Sequence, residues 1–171
     1  VGDNVAPIAI CQDVTVQLDA TGNGSTTATA VDNGSSDACG IASLVLSQTA
    51  FVCSEVGANT ETLTVTDVNG NVTTCTATIT VEDNVAPVIT SCPANQTVNN
   101  DLGLCSANLS VASLFASDAC GVLSIVNSKN GTSNASGVYL VGTTTVNWTV
   151  TDINGNVSTC SNLITVIDDE P

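Results

Sequence analysis

The sequence predicts an all-β chain made of two tandem copies of one small β-sandwich module. Three observations carry that expectation. The chain repeats itself, its apolar residues alternate with polar ones in short runs, and its eight cysteines are even in number and widely spaced.

The repeat comes first. Asp3-Asn4-Val5-Ala6-Pro7 recurs unchanged as Asp83-Asn84-Val85-Ala86-Pro87. Ser36-Asp37-Ala38-Cys39-Gly40 returns as Ser117-Asp118-Ala119-Cys120-Gly121. Val65-Thr66-Asp67-Val68-Asn69-Gly70-Asn71-Val72 returns as Val150-Thr151-Asp152-Ile153-Asn154-Gly155-Asn156-Val157. Three motifs in one order divide the chain into modules at 1–83 and 84–171. The offset between copies grows from about 80 to about 85 residues. The extra length is assigned to the Ser/Asn/Gly-rich stretch from Asn127 to Gly137, read as a loop. Asp168-Asp169-Glu170-Pro171 looks like a third junction, so the chain is expected to be a mature or excised piece of a longer array.

The strands follow from the period. Val14, Val16 and Leu18 alternate with polar residues, as do Leu63 and Val65, then Ala77, Ile79 and Val81. The second copy repeats this in Val146, Trp148 and Val150, then in Leu163 and Ile164 through Val166. Val, Ile and Thr dominate these runs, as half-buried strands prefer. No stretch shows a helical period. Asp67-Val68-Asn69-Gly70-Asn71 lies between two such runs, and its Asn-Gly step predicts a hairpin turn joining the last two strands. Pro7 and Pro87 stand just before the first strand, where a missing N–H breaks no ladder. Short strands at this spacing predict an immunoglobulin-like sandwich, with a small barrel as the alternative.

The cysteines support a secreted context. Aromatics make up only 2% of the chain, so the core is left to Val, Ile, Leu and Ala. Small secreted domains with thin cores use disulfides. There is no CxxC pair and no histidine, which removes the usual zinc patterns. The expectation is four disulfides, two per module, formed in an oxidising compartment.

Sixteen acidic residues face one basic residue, Lys129, for a formal charge of −15. That balance argues against nucleic acid and anionic lipid as partners, because both are held by Lys and Arg. It permits divalent cations. No apolar run is long enough to cross a bilayer as a helix. Catalysis is not expected. A nucleophile would lack its histidine base, and aromatics are too few to build a sugar cleft for a carboxylate pair.

At this point the motifs resemble a known family. The last strand pair, the Ser-Asp-Ala-Cys-Gly loop and the Pro-x-Ile-x-x-Cys-Pro pattern at Pro87 to Pro93 are similar to hyalin-repeat (HYR) domains. The second copy carries the pattern more fully, with Cys92-Pro93, Gly103-Leu104-Cys105-Ser106-Ala107 and Val141-Gly142-Thr143-Thr144. The first departs from it, with Cys11-Gln12 and no cysteine opposite Cys105. The resemblance implies immunoglobulin-like modules in tandem arrays, of the kind found in Bacteroidetes surface adhesins, including gliding-motility adhesins.

Three cysteines are common to both copies: Cys11 and Cys92, Cys39 and Cys120, Cys75 and Cys160. The fourth is Cys53 in one copy and Cys105 in the other. In an immunoglobulin-like sandwich the first and last strands can lie side by side. The expected pairs are therefore Cys11–Cys75 and Cys92–Cys160, leaving Cys39–Cys53 and Cys105–Cys120. The same topology would bring the N-terminal linker, the Ser-Asp-Ala-Cys-Gly loop and the last hairpin turn to one pole. That would gather Asp3, Asp37 and Asp67 in the first copy, and Asp83, Asp118 and Asp152 in the second, as a calcium site stiffening the joint. The plainer reading is that these acids cap their own turns. No other cofactor is expected.

Three functions compete. The chain is a structural spacer in a long secreted surface adhesin, with neighbouring repeats of the same polypeptide as its partners. Alternatively it binds surface glycans or proteins through the Asn127 to Gly137 loop with Tyr139 or Trp148, although Trp148 reads more naturally as core. A third reading is a filament subunit pairing through strand edges.

Overall fold

A computed structural model describes residues 2–170. The chain divides into two compact units, Val1–Asn84 and Val85–Pro171. The first contains β1 (Val14–Gln17), β2 (Asn23–Ser25), a one-turn helix α1 (Ala28–Val31), β3 (Ile41–Leu46), β4 (Ala50–Val52), β5 (Gly57–Asp67) and β6 (Val72–Glu82). The second contains β7 (Val88–Ser91), β8 (Gln96–Asn99), β9 (Ser106–Leu109), β10 (Phe115–Ser117), β11 (Val122–Asn127), β12 (Gly137–Leu140), β13 (Gly142–Asp152) and β14 (Val157–Ile167). The alternation pattern located β1, β5, β6, β13 and β14, and named neither the shorter strands nor the helix. Thr27 caps it by accepting from the Ala30 N–H, and it buries Val31.

Each unit is built on the same four-stranded sheet. Its order is β1-β6-β5-β3 in the first unit and β8-β14-β13-β11 in the second. Smaller pairs supply the rest of the sandwich: β2 with β4, β7 with β10, and β9 with β12. The copies agree in detail. Both β3/β5 and β11/β13 shift register at matching positions, between Ile41 and Ser43 and between Val122 and Ser124. Most of the alternating residues predicted for the sheet are its buried face; Leu163 is exposed and Val14 only half-buried. Leu63, Val65, Ala77, Ile79 and Val81 are buried in the first unit, and Val146, Trp148, Val150, Ile164 and Val166 in the second.

The long hairpin of each unit turns differently from the two-residue Asn-Gly form. Asp67 N–H donates to the Asn71 carbonyl, and Gly70 N–H donates back to the Asp67 carbonyl, which leaves Val68, Asn69 and Gly70 as a three-residue loop. Only Gly70 takes positive φ, at 92°, and Gly155 does the same at 96°. This is a turn followed by a left-handed residue, the usual three-residue solution. Asn69 keeps an ordinary backbone because the Asp67 side chain accepts its N–H.

β1 and the last strand β6 are parallel neighbours in the first unit, and β8 and the last strand β14 in the second, where β7 pairs instead with β10. Val14 lies opposite Ile79, and Gln96 opposite Ile164. That register brings Cys11, three residues before Val14, next to Cys75. Cys11 is bonded to Cys75 with Cα atoms 5.9 Å apart, and Cys92 to Cys160 at 6.4 Å. Each bond closes a loop of more than 60 residues. By loop-closure entropy that stabilises a unit by about 4 kcal/mol.

The two local pairs expected from the sequence do not form. Cys39 and Cys105 are free and exposed, whereas Cys53 and Cys120 are disulfide-bonded. The expectation of two disulfides inside each unit is thereby corrected, and strand length is the reason. Ile41, just after Cys39, lies opposite Asp67, while Gly57, just after Cys53, begins the same strand β5. The two cysteines therefore sit at opposite ends of an 11-residue strand, about 33 Å apart, where a disulfide needs less than about 7 Å. Cys105 and Cys120 are separated in the same way along β13, since Leu140 opposes Ser106 and Asp152 opposes Val122.

Candidate functional site

Parallel terminal strands give each unit two distinct ends. The chain comes in at a leading pole, beside the hairpin turn, and leaves at a trailing pole, where the last strand ends. In the first unit the leading pole collects the repeated acidic motifs. Asn71 donates its side-chain amide to the Asp3 carbonyl, 3.2 Å away. Val68 N–H donates to the Gly40 carbonyl, which ties the Ser36–Gly40 loop to the turn. Asp3, Asp37 and Cys39 place ligand-type atoms within 4.8 Å of one another.

Most of these acids serve their own backbone. Asp3 accepts from Val5 N–H at 2.9 Å, and Asp37 from Cys39 N–H at 2.7 Å. Asp67 accepts from the N–H groups of Asn69 and Asn71 and, through its second oxygen, from the Asn71 amide. Burial pushes the Asp67 carboxyl up, but those donors outweigh it and hold its pKa below the usual carboxylate value. Asp152 has the same partners in Asn154 and Asn156 and is lowered for the same reasons. Asp118 accepts from Cys120 and Gly121 N–H, and Ile153 N–H donates to the Gly121 carbonyl at the same pole as Asp152. Asp83 is buried at the end of the first unit.

As a cation site, the first unit offers two carboxylates, Asp3 and Asp37, with a thiol beside them. Calcium takes six to eight hard oxygens, and Asp67 already spends both of its oxygens on the turn. The thiol feels the acids strongly. It donates to Asp3, and that bond together with the charges of Asp3, Asp37 and Asp67 raises its pKa. The exposed Cys39 lines a shallow depression together with Val5, Ile8 and Ser36.

Of the residues read as binding contacts, Tyr139 and Trp148 are internal, whereas the loop is exposed over 130–134. Trp148 is wholly buried and donates its indole N–H to Asn162 at 2.8 Å. Tyr139 is buried and donates its hydroxyl to the Ala135 carbonyl at 2.6 Å. Lys129 lies over the Tyr139 ring, 3.9 Å from its centre, and donates to the carbonyls of Ala135 and Ser136. Burial draws the Lys129 pKa down. The chain's single base therefore fastens the Asn127–Gly137 loop to its own unit. The signal in the sequence was a lone Lys in a loop of small polar residues next to the only Tyr.

At the trailing pole of the second unit, Cys105 leads into β9, and Val141 N–H donates to its carbonyl. The chain leaves the unit beside it: Gly103 N–H donates to Glu170, and the Asn99 amide to Asp169. Sequence reasoning placed Cys105 within a bridge and missed that it sits beside the outgoing chain.

The repeated turn and the Ser-Asp-Ala-Cys-Gly loop have a counterpart among known families, over the second unit. Residues 82–166 match the HYR domain family. The HYR match takes in all of β7 to β13 and all but the last residue of β14. Among solved structures, the chain is similar to the titin domains Z1Z2 in complex with telethonin, at 12% identity over 98% of this chain and all of that one, with a TM-score of 0.41. It is also similar to human protocadherin-24 EC1-2, at 16% identity over 98% and 100% of the two chains and a TM-score of 0.41. The Drosophila N-cadherin EC1-4 structure matches at 14% identity over 98% of this chain and 51% of that one, with a TM-score of 0.45. Likeness at this level carries no information on function. No helix among the described residues is long and apolar enough to cross a membrane.

Proposed function

We propose that the chain is a pair of HYR-type spacer modules from the stalk of a secreted, cell-surface adhesin, and that its work is mechanical. The first unit belongs to this reading as a diverged copy of the second, since it shares the sheet order, the displaced register and the clamped terminal strands. One observation carries the proposal. In each unit an early strand, β1 or β8, runs parallel to the last, and a disulfide joins the segment just before that early strand to the last strand itself. Parallel terminal strands send the chain in at one end of the sandwich and out at the other, so such modules string lengthwise. The disulfide then passes tension from Cys11 to Cys75 and from Cys92 to Cys160, and the residues between carry none. Neighbouring modules are its partners, and no catalytic step is assigned.

A binding module is the competing function. Of its expected contacts, Trp148 and Tyr139 are occupied inside the second unit, which leaves it the exposed part of the Asn127 to Gly137 loop. The test uses the full chain with Cys39 and Cys105 blocked by a maleimide. A spacer is expected to stay monomeric in sedimentation velocity and to give no signal on a glycan array above a heat-denatured control. Saturable glycan binding that is lost on deleting 130–134 would establish the binding module instead. Non-covalent polymerisation of the blocked chain would establish the filament subunit.

A further inference from the structure

We infer that Cys39 and Cys105 are junction thiols, each forming a disulfide with a module of the same kind adjoining its pole. This rests on the tandem-spacer reading above and adds a covalent tie across each joint. Cys105 would take the leading-pole cysteine of the module that follows, and Cys39 the trailing-pole cysteine of the module that precedes.

The four cysteines left outside the two clamps fall into two positional classes. Cys39 and Cys120 occupy the same Ser-Asp-Ala-Cys-Gly motif at the leading pole of their units. Cys53 and Cys105 arise from different strand connections, yet both lie at a trailing pole. Cys53 precedes Gly57, which opposes Val81 near the end of β6, and Cys105 is bonded through its carbonyl to Val141 beside Gly142, which opposes Val166 near the end of β14. One member of each class, Cys53 and Cys120, is already disulfide-bonded. The remaining member of each class is a free, exposed thiol. The free thiols are therefore those at the leading pole of the first unit and at the trailing pole of the second. This explains why the odd cysteine could change strand between copies. What both copies keep is the pole it occupies.

The surroundings of the two thiols suit contact between modules. Leu102 and Leu104, next to Cys105, are 94% and 54% exposed. Val5 and Ile8, on the rim of the depression holding Cys39, are 69% and 63% exposed. Each thiol also lies beside the chain's own passage, Cys39 against Asp3 and Cys105 near the loop bonded to Glu170. In a tandem chain the module after Glu170 would begin within reach of Cys105.

The chemistry is thiol–disulfide exchange. The Cys105 thiol loses its proton, and the thiolate attacks a small-molecule or enzyme-borne disulfide, forming a mixed disulfide and releasing one thiol. The leading-pole thiolate of the adjoining module then attacks the Cys105 sulfur and releases the second carrier thiol. Two protein thiols become one disulfide, and two electrons and two protons end on the oxidant's two thiols.

With the chain as it exists, the adjoining module is a second copy. The full chain is concentrated in an oxidised/reduced glutathione buffer, resolved without reductant and mapped by mass spectrometry. The expected result is a ladder of covalent multimers in which the Cys39–Cys105 peptide exceeds both homotypic peptides at least tenfold. C39S and C105S should each stop the ladder at a dimer. L102S/L104S, a change confined to exposed side chains, should slow the cross-link several-fold while leaving the reaction of Cys105 with glutathione unchanged. Maleimide labelling of the same sample shows whether both thiols are open to attack. If both label and no Cys39–Cys105 peptide forms, or if homotypic peptides are as abundant, the inference is overturned. The maleimide-blocked chain of the previous test is unaffected by that outcome, so the spacer reading stands or falls separately.

Discussion

Reducing the two clamps under tension should lengthen the chain by a calculable amount. In the first unit the tension path runs from the N-terminus to Cys11, across the sulfurs to Cys75, and out along β6. The separation of 64 residues between the two cysteines lies outside that path. At about 3.4 Å per extended residue, opening the bond releases about 220 Å. The second unit, with a separation of 68 residues, releases about 230 Å. While the bonds hold, only the roughly 20 residues of the first unit outside its loop can extend, to about 70 Å. The part of β6 beyond Cys75, Thr76 to Glu82, already spans about 23 Å of that.

The assay is optical tweezers or atomic force spectroscopy on the full chain held by its two ends, with and without dithiothreitol. Oxidised chains should give steps of a few tens of ångströms per unit. Reduced chains should add steps near 220 and 230 Å. Equal step lengths in both conditions would refute the reasoning, because tension would then travel through the sheet and bypass the sulfurs. Long steps in oxidised chains would refute it as well.

Four further outcomes follow from the same geometry. Trp148 and Asn162 stand where the first unit has Leu63 and Ala77, so N162A should strand a buried indole N–H at a cost of about 1–3 kcal/mol. W148L should cost about 3 kcal/mol or more, and the double variant less than the sum, as read by hydrogen exchange in peptides from 142–167 with 57–82 as the internal control. At Gly24 an added Cβ would lie 2.6 Å from the Val16 side chain and 3.0 Å from the Gln17 carbonyl, so G24A should destabilise the first unit by about 1–3 kcal/mol in a denaturant melt. Because the folded pKa of Asp152 is lowered, its contribution is complete above the unfolded carboxyl range near pH 4 and fades as pH falls through the folded value; the stability gap between wild type and D152N should be open at pH 7 and close in acid. Millimolar calcium should leave the melting temperature of the first unit unchanged, since Asp3 and Asp37 alone make too small a set of oxygens; a rise that D37N abolishes would show instead that the leading pole holds the ion.

The sheet was legible because its signal is local. Val65, Ile79, Val150 and Ile164 alternate with polar neighbours, and a pleated strand buries every second side chain. The clamp was legible for a related reason: once the first and last strands are neighbours, Cys11 and Cys75 fall together by counting. The other cysteines were not legible by counting, because sequence separation does not say which end of a strand a residue occupies. Cys39 and Cys53 are 14 positions apart in sequence and a full strand apart in space. What decides is the pole at which each cysteine lies. Through β3 and β4 the chain passes from the pole of Cys39 to that of Cys53, which is too far for a short bridge. The same criterion separates Cys105 from Cys120, with β9 and β10 between them. It also turns an apparent irregularity of the repeat into a constraint: a cysteine that moves from one strand connection to another, yet stays at the trailing pole, is positioned for something beyond its own module. The acids show the opposite case. Asp67 and Asp152 were expected at one pole with the other repeated acids as ligands, and in the structure each closes a three-residue turn that Asn71 or Asn156 completes.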